Sequence, residues 1–246
     1  MLMQATTRKS SVNLSIVGGA LAAGEPKSLT ELFAGQVAET LEAGESLFFQ
    51  GDDAMHVFEI TSGALRTVRI LSDGRRVITG FVFAGDVLGV GYGDTYLAAV
   101  EAIEPAVFRR LGRRRFEDAV ERLPGLRPQL MERLSEQMAA AQDQLVLLAR
   151  KNADERVASF LLSLARRRTD DGEIPSIVPL PMTRLDMADH LGLTIETVSR
   201  VMTRLSSKGI VISAGRHQIV IKRPGALLAL AVVDGEEENF DSRAYA

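Results

Sequence analysis

Residues 183–205 read TRLDMADHLGLTIETVSRVMTRL, and this stretch decides the architecture of the C-terminal half. Thr183 followed three positions later by Asp186 has the form of a helix start, where hydroxyl and carboxylate satisfy the free backbone donors of the first turn. Met187, Ala188 and Leu191 then supply an apolar face, and Gly192 stands where a left-handed residue ends a helix without steric cost. Leu193 plugs the turn. Thr194 is placed to cap a second helix, whose Val198, Val201, Met202 and Leu205 repeat at helical spacing. Small Ala188 lets the two helices cross closely, and Val198 fills the gap beneath. Six buried or turn positions agreeing within about twenty residues predict a helix-turn-helix.

The polar side of the second helix carries Glu196, Thr197, Ser199, Arg200 and Arg204. On a helix offered to a major groove, Arg200 would chelate guanine O6 and N7, Glu196 would accept from cytosine N4, and Ser199 would meet a thymine edge. Thr183, Thr194, Arg204, Lys208 and Arg216 suit phosphates, which position a protein but carry no sequence information. Outside such a motif, Glu196 and Arg200 four positions apart would read as a surface ion pair worth about 0.2–0.5 kcal/mol. Downstream, Ile210–Ser213 and Gln218–Ile221 flank Ala214-Gly215-Arg216, a hairpin that reads as the wing of a winged helix with Arg216 at its tip.

Upstream, Val157, Phe160, Leu161 and Leu164 mark one face of a helix over Asp154–Arg167. A polar loop closed by Pro175, Pro179 and Pro181 follows it. Before it, Met131, Leu134, Met138, Ala141, Leu145 and Leu148 recur at alternating steps of three and four, a heptad seam. The seam narrows beside Gln137, Gln142, Asp143 and Gln144, which favours pairing with a second copy over burial within one domain. A second stripe through Leu126, Leu130 and Val146 could press the same helix against the N-terminal domain.

From Leu41 to about Arg110 the pattern changes to short β-rich runs, with turn signals such as Asp73-Gly74 every seven to twelve residues. Many short, evenly spaced strands predict an antiparallel β-roll or jelly roll. The fold class is therefore α+β, with an N-terminal antiparallel roll, a long dimerisation helix and a C-terminal winged helix-turn-helix. The boundaries read as a flexible arm over 1–28, the roll over 29–115, the dimerisation helix over 116–150, the winged helix-turn-helix over 151–224 and a tail over 225–246. The tail is apolar and then acidic (Glu236-Glu237-Glu238); packing on the body and repulsion of competing anions both remain open for it.

Composition narrows the function. The 246 residues are 46% hydrophobic and 25% charged, an ordinary globular mix. Cysteine is absent, which removes disulfides, thiolate metal sites, cysteine-ligated clusters and cysteine nucleophiles, and fits a reducing cytoplasm. The net charge of −3 is uneven: residues 151–224 hold 12 basic and 8 acidic side chains, a balance of +4, against −7 for the rest. A basic segment on an acidic body suits a polyanion met by that segment alone. No apolar run is long enough to span a bilayer, and no secretory signal is expected. No nucleophile triad, phosphate loop or paired-carboxylate motif is present, so no catalytic residues and no enzyme are expected. Of His56, His190 and His217, only His56 falls in the roll, too few for a cupin-type metal centre. No metal site is expected; a haem with His56 as axial ligand stays open.

The order of elements resembles the bacterial Crp–Fnr family over about residues 29–224. The likeness rests on Ala43-Gly-Glu45, Gln50-Gly51-Asp52, Glu59–Gly63, Gly85-Asp86-Val-Leu-Gly89, the long helix, Glu155–Phe160 and Leu191–Arg200. It is similar above all to the Fnr and FixK-like branches, whose Glu-x-x-Ser-Arg motif falls on Glu196, Ser199 and Arg200. That resemblance implies a homodimeric transcription regulator, an activator that works with RNA polymerase. It would bind a TTGA–six bases–TCAA palindrome in double-stranded DNA and control microaerobic or anaerobic metabolism. The oxygen sensor of this family holds a cluster through cysteines, which this chain lacks. The cyclic-AMP binders carry an arginine for the phosphate, which Gly85–Gly89 and the following Tyr92–Val100 do not supply. No cyclic nucleotide and no other cofactor are therefore expected.

Overall fold

The computed structural model of the chain describes residues 25–91, 93–167, 174–215 and 217–231. Most of the expected N-terminal arm, Arg216 and the acidic part of the tail lie outside the described residues. Two compact units emerge: one runs to Thr67 and resumes over Phe81–Arg127, and the other takes Val68–Gly80 and the chain from Pro128 on.

Eight short strands precede the first α-helix: β1 (Ala38–Leu41), β2 (Ser46–Phe48), β3 (His56–Ser62), β4 (Ala64–Ile70), β5 (Arg76–Phe83), β6 (Val87–Leu88), β7 (Ala99–Ala102) and β8 (Ala106–Gly112). They form two four-stranded sheets, ordered β1-β8-β3-β6 and β2-β7-β4-β5. Phe48, Phe58, Ile60, Leu65, Val82, Tyr96, Val100 and Phe108 make one buried cluster. Within it Phe48 stacks on Tyr96 with ring centres 3.9 Å apart, and Phe108 meets Phe58 edge-on at 6.0 Å. Burying side chains of this size stabilises by roughly 1.5–3 kcal/mol each, which is what lets strands of two to eight residues persist. Gly63 makes the tight reversal from β3 to β4 at φ +89°, and a Cβ there would lie 2.6 Å from the Ala106 Cα. The anticipated Asp73-Gly74 turn is present, with the Arg75 N–H donating to the Asp73 carboxylate at 3.0 Å.

The helical stretch expected from Phe116 onward is two helices. α1 (Arg113–Arg122) buries Phe116 and Val120, and α2 runs from Leu126 to Arg150. Pro124 and Gly125 separate them, because proline cannot continue the helix ladder and glycine weakens it.

In the second unit, Asn152 caps α3 (Ala153–Arg166) by accepting from the N–H groups of Asp154 and Glu155, and the Glu155 carboxylate returns the bond. α4 (Arg184–Leu191) and α5 (Ile195–Ser207) follow, then the hairpin β10 (Val211–Ser213) and β11 (Gln218–Ile221), and α6 (Pro224–Ala231). The core holds Val157, Leu161, Ala165, Met187, Leu191, Val198, Val201, Ile219 and Leu227. The loop read around Pro175–Pro181 contains a strand, β9 (Ile177–Pro179), which adds to the free side of β11 with Val178 opposite Ile219. Three residues are too few to show a period, so only the long-range pairing reveals them. Of the two roles open for the tail, its apolar start packs: Leu227 is fully buried, and the Lys151 ammonium donates to the Ala231 carbonyl at 2.8 Å. Among the described residues no helix is long and apolar enough to cross a membrane.

Candidate nucleic-acid interface

Local chemistry sets the two helices as the sequence predicts. Thr183 and Asp186 form the capping box of α4, and Gly192 ends it at φ +62°. The Thr194 hydroxyl accepts from the Thr197 N–H at 3.2 Å and so caps α5. Met187, Ala188, Leu191, Val198, Val201, Met202 and Leu205 are all buried. Leu193 is only half-buried.

That burial fixes which side of α5 faces outward. Glu196, Ser199, Arg200, Thr203 and Arg204 are exposed, and Thr197 is half-buried. Glu196, Ser199 and Arg200 therefore share one open face, and Glu196 and Arg200 do not pair with each other among the described residues. The phosphate candidates are less uniform. Thr183 and Thr194 are exposed, but each spends its hydroxyl on its helix cap. Lys208 is exposed at the end of α5. Arg204 is held in an ion pair by Asp154 at the start of α3. Arg216 lies outside the described residues.

The sequence reading passed over Arg184. Beside α5 an open depression of about 470 Å³ is lined by Arg184 together with Ser199, Thr203, Ser206, Ser207 and Ser213. Burial lowers the pKa of the Arg184 guanidinium from its ordinary value. A position inside the first turn of a helix gives no periodic signal, but an arginine directly after an N-cap threonine could have marked it.

The predicted seam on α2 lies open in the single chain. Met131, Met138 and Leu145 are 58%, 62% and 69% exposed; Ala141 and Leu148 are exposed too, and Leu134 is half-buried. Of the second stripe, Leu126 is buried and Leu130 half-buried, whereas Val146 is exposed.

In the roll, His56 lines an open depression of about 320 Å³ with Glu39 and Arg110, whose side chains pair at 2.9 Å. Burial and the neighbouring Arg110 charge lower the His56 pKa, partly offset by Glu39. Burial raises the Glu59 carboxyl, with Arg109 at 3.5 Å working against it. After β6, the Arg113 guanidinium donates to the carbonyls of Gly89 and Gly93, both at 3.0 Å. No group of three or more His, Asp or Glu side chains converges on a metal position among the described residues.

An antiparallel roll, a long helix with an open apolar seam and a helix-turn-helix followed by a hairpin define a DNA-binding regulator. The Crp-like helix-turn-helix domain model matches residues 155–230, and the cyclic nucleotide-binding domain model matches residues 38–122. The chain is 35% identical over 194 residues to the fumarate and nitrate reduction regulatory protein of Salmonella typhi, covering 78% of this chain and 77% of that one. It is 37% identical over 193 residues to the transcriptional activator protein FnrA of Stutzerimonas stutzeri, covering 78% and 79%. Among solved structures it is similar to FixK2 from Bradyrhizobium japonicum, at 34% identity and a TM-score of 0.75, over 80% of this chain and 98% of that one. The chain belongs to the Crp–Fnr family of DNA-binding transcription regulators, in its FixK-like part, and that family is not one of enzymes.

Proposed function

We propose that this protein is a homodimeric transcription activator of genes for microaerobic or anaerobic metabolism, acting with RNA polymerase in the cytoplasm. Two copies pair through Met131, Leu134, Met138, Ala141, Leu145 and Leu148 of α2. Their α5 helices then enter successive major grooves, about 34 Å apart, at a TTGA–six bases–TCAA palindrome. Glu196, Ser199 and Arg200 read base edges, while Thr183, Thr194, Arg204, Lys208 and Arg216 meet phosphates. For Arg204 this requires leaving or sharing Asp154, and for Thr183 and Thr194 sharing the hydroxyls that cap α4 and α5.

The observation that carries this reading is the outward face of α5, where all three base-reading candidates are exposed while the helix's apolar side is buried. A seam of large apolar residues open to water on a 25-residue helix supports the pairing, since such a patch marks an interface. The roll acts without a cyclic nucleotide. The arginine missing from Gly85–Val100 would leave a cyclic phosphate without a cation, and the nearby Arg113 is engaged with loop carbonyls.

The test is a footprint of the purified chain on the palindrome and on a scrambled fragment, with and without cyclic AMP. Protection of both half-sites, confined to the palindrome and indifferent to cyclic AMP, is the expected result. Equal protection of both fragments, or protection only with cyclic AMP, overturns it.

A further inference from the structure

The carboxyl ends of α2 and α4 each leave carbonyls that their own helix cannot satisfy. In α4 the cap brings the N–H groups of Gly192 and Leu193, both donating to the Ala188 carbonyl. The next free carbonyls are taken by side chains from two other helices. Gln144 of α2 donates to the His190 carbonyl at 2.8 Å, and Arg156 of α3 donates to the Leu191 carbonyl at 2.8 Å. The same guanidinium donates through Nη2 to the Leu148 carbonyl at 3.0 Å and through Nε to the Lys151 carbonyl at 2.9 Å, at the end of α2. One planar group thus bonds the ends of two helices at once. A cation there is also favoured by the negative end of each helix dipole. The guanidinium lies close to the αL turn: a Cβ at Gly192 would lie 3.4 Å from Arg156 Nη1.

We infer that Arg156, assisted by Gln144, is the positioning joint of the DNA-binding unit. It fixes the helix-turn-helix at one angle to the dimerisation helix, and through that angle the dimer selects the spacer between its half-sites. A guanidinium has its donors fixed in a plane, so carbonyls at the ends of two helices are held in one mutual geometry; an ammonium is a point charge that imposes none. Arg156 touches no base and acts only through the placement of α5. The inference rests on the dimeric palindrome reading above.

The experiment measures binding of the full chain to palindromes with five, six and seven intervening bases, and to a scrambled half-site with the six-base spacer. Wild type, Arg156→Met, Arg156→Lys and Gln144→Leu are compared, with thermal unfolding and sedimentation run on each. Wild type prefers six bases. Arg156→Met is expected to lose roughly tenfold on the six-base site, about 1.4 kcal/mol, and to bind all three spacings nearly alike. Its preference for matched over scrambled half-sites stays. Arg156→Lys recovers thermal stability but not the spacing preference, which separates positioning from mere stabilisation. Gln144→Leu removes one bond of the joint and narrows the spacing preference part-way, so the question is decided even where Arg156→Met folds poorly. If folded Arg156 variants and Gln144→Leu all keep the wild-type ratio between spacings, the proposal is wrong. A wild-type chain indifferent to spacing overturns the palindrome reading itself, and the inference with it.

Discussion

Thr183 and Asp186 close the first turn of α4 on each other. The Asp186 N–H donates to the Thr183 hydroxyl at 3.1 Å, and the Thr183 N–H and hydroxyl donate to the Asp186 carboxylate at 2.9 and 2.7 Å. Asp186 is almost fully buried, so this cap is part of the packed unit and not a frayed end. Asp186→Ala should cost about 1–2 kcal/mol in denaturant unfolding, with Asp186→Asn in between. A loss within error would show that α4 is held by its packing alone.

Arg200 and Lys208 should separate two kinds of contact. Arg200→Ala is expected to weaken binding by roughly 1–3 kcal/mol per half-site and to flatten discrimination at the guanine. Lys208→Ala should weaken matched and scrambled DNA alike and reduce the salt dependence by about one phosphate. Titrations at several salt concentrations distinguish them; an Arg200→Ala chain that loses affinity equally on both DNAs contradicts base readout.

Leu145 is 69% exposed and Leu134 half-buried on the α2 seam. Placing two carboxylates there by Leu134→Glu with Leu145→Glu should give monomers in sedimentation, since charge buried at a paired seam is costly. An unchanged dimer would place the interface elsewhere.

His190 and His56 predict a dependence on pH. Burial around His190 lowers its pKa below 6.5, opposed by the Ile78 carbonyl 3.1 Å from Nδ1. His56 is lowered as well, by burial and then by Arg110. In both cases the folded chain binds the proton less readily than the unfolded chain. Their contribution is therefore complete above the unfolded value and is lost as pH falls through 6.5 toward the depressed values. The thermal midpoint should drop on acidification from about pH 7.5 to about pH 5.5, and less steeply in His190→Gln. A parallel drop in that variant would assign the effect to other groups.

Much of the molecule was legible because its signals are local. The caps at Thr183 and Thr194, the left-handed Gly192 and the period of Val198, Val201 and Leu205 each depend on residues within a turn or two. The break at Pro124-Gly125 is equally local, but it lies just ahead of the heptad seam, whose period does not reach it. What escaped was non-local. Ile177–Pro179 is a strand only because β11 offers it an edge, and Arg184 counts only because α5 and the hairpin line one depression with it. Arg156 sat in a motif string without a role until two helix ends met at its guanidinium.

The order of residues alone determined the class of fold, the position of the helix-turn-helix and the side of α5 that stays polar, because period and capping are written within a few residues of chain. The tertiary structure decided which polar groups are already spent: Arg204 on Asp154, Thr183 on Asp186, and Arg156 on Leu148, Lys151 and Leu191. Hydrogen-bond partners for helix ends and charges come from whichever segment folding brings close, and no spacing rule anticipates that.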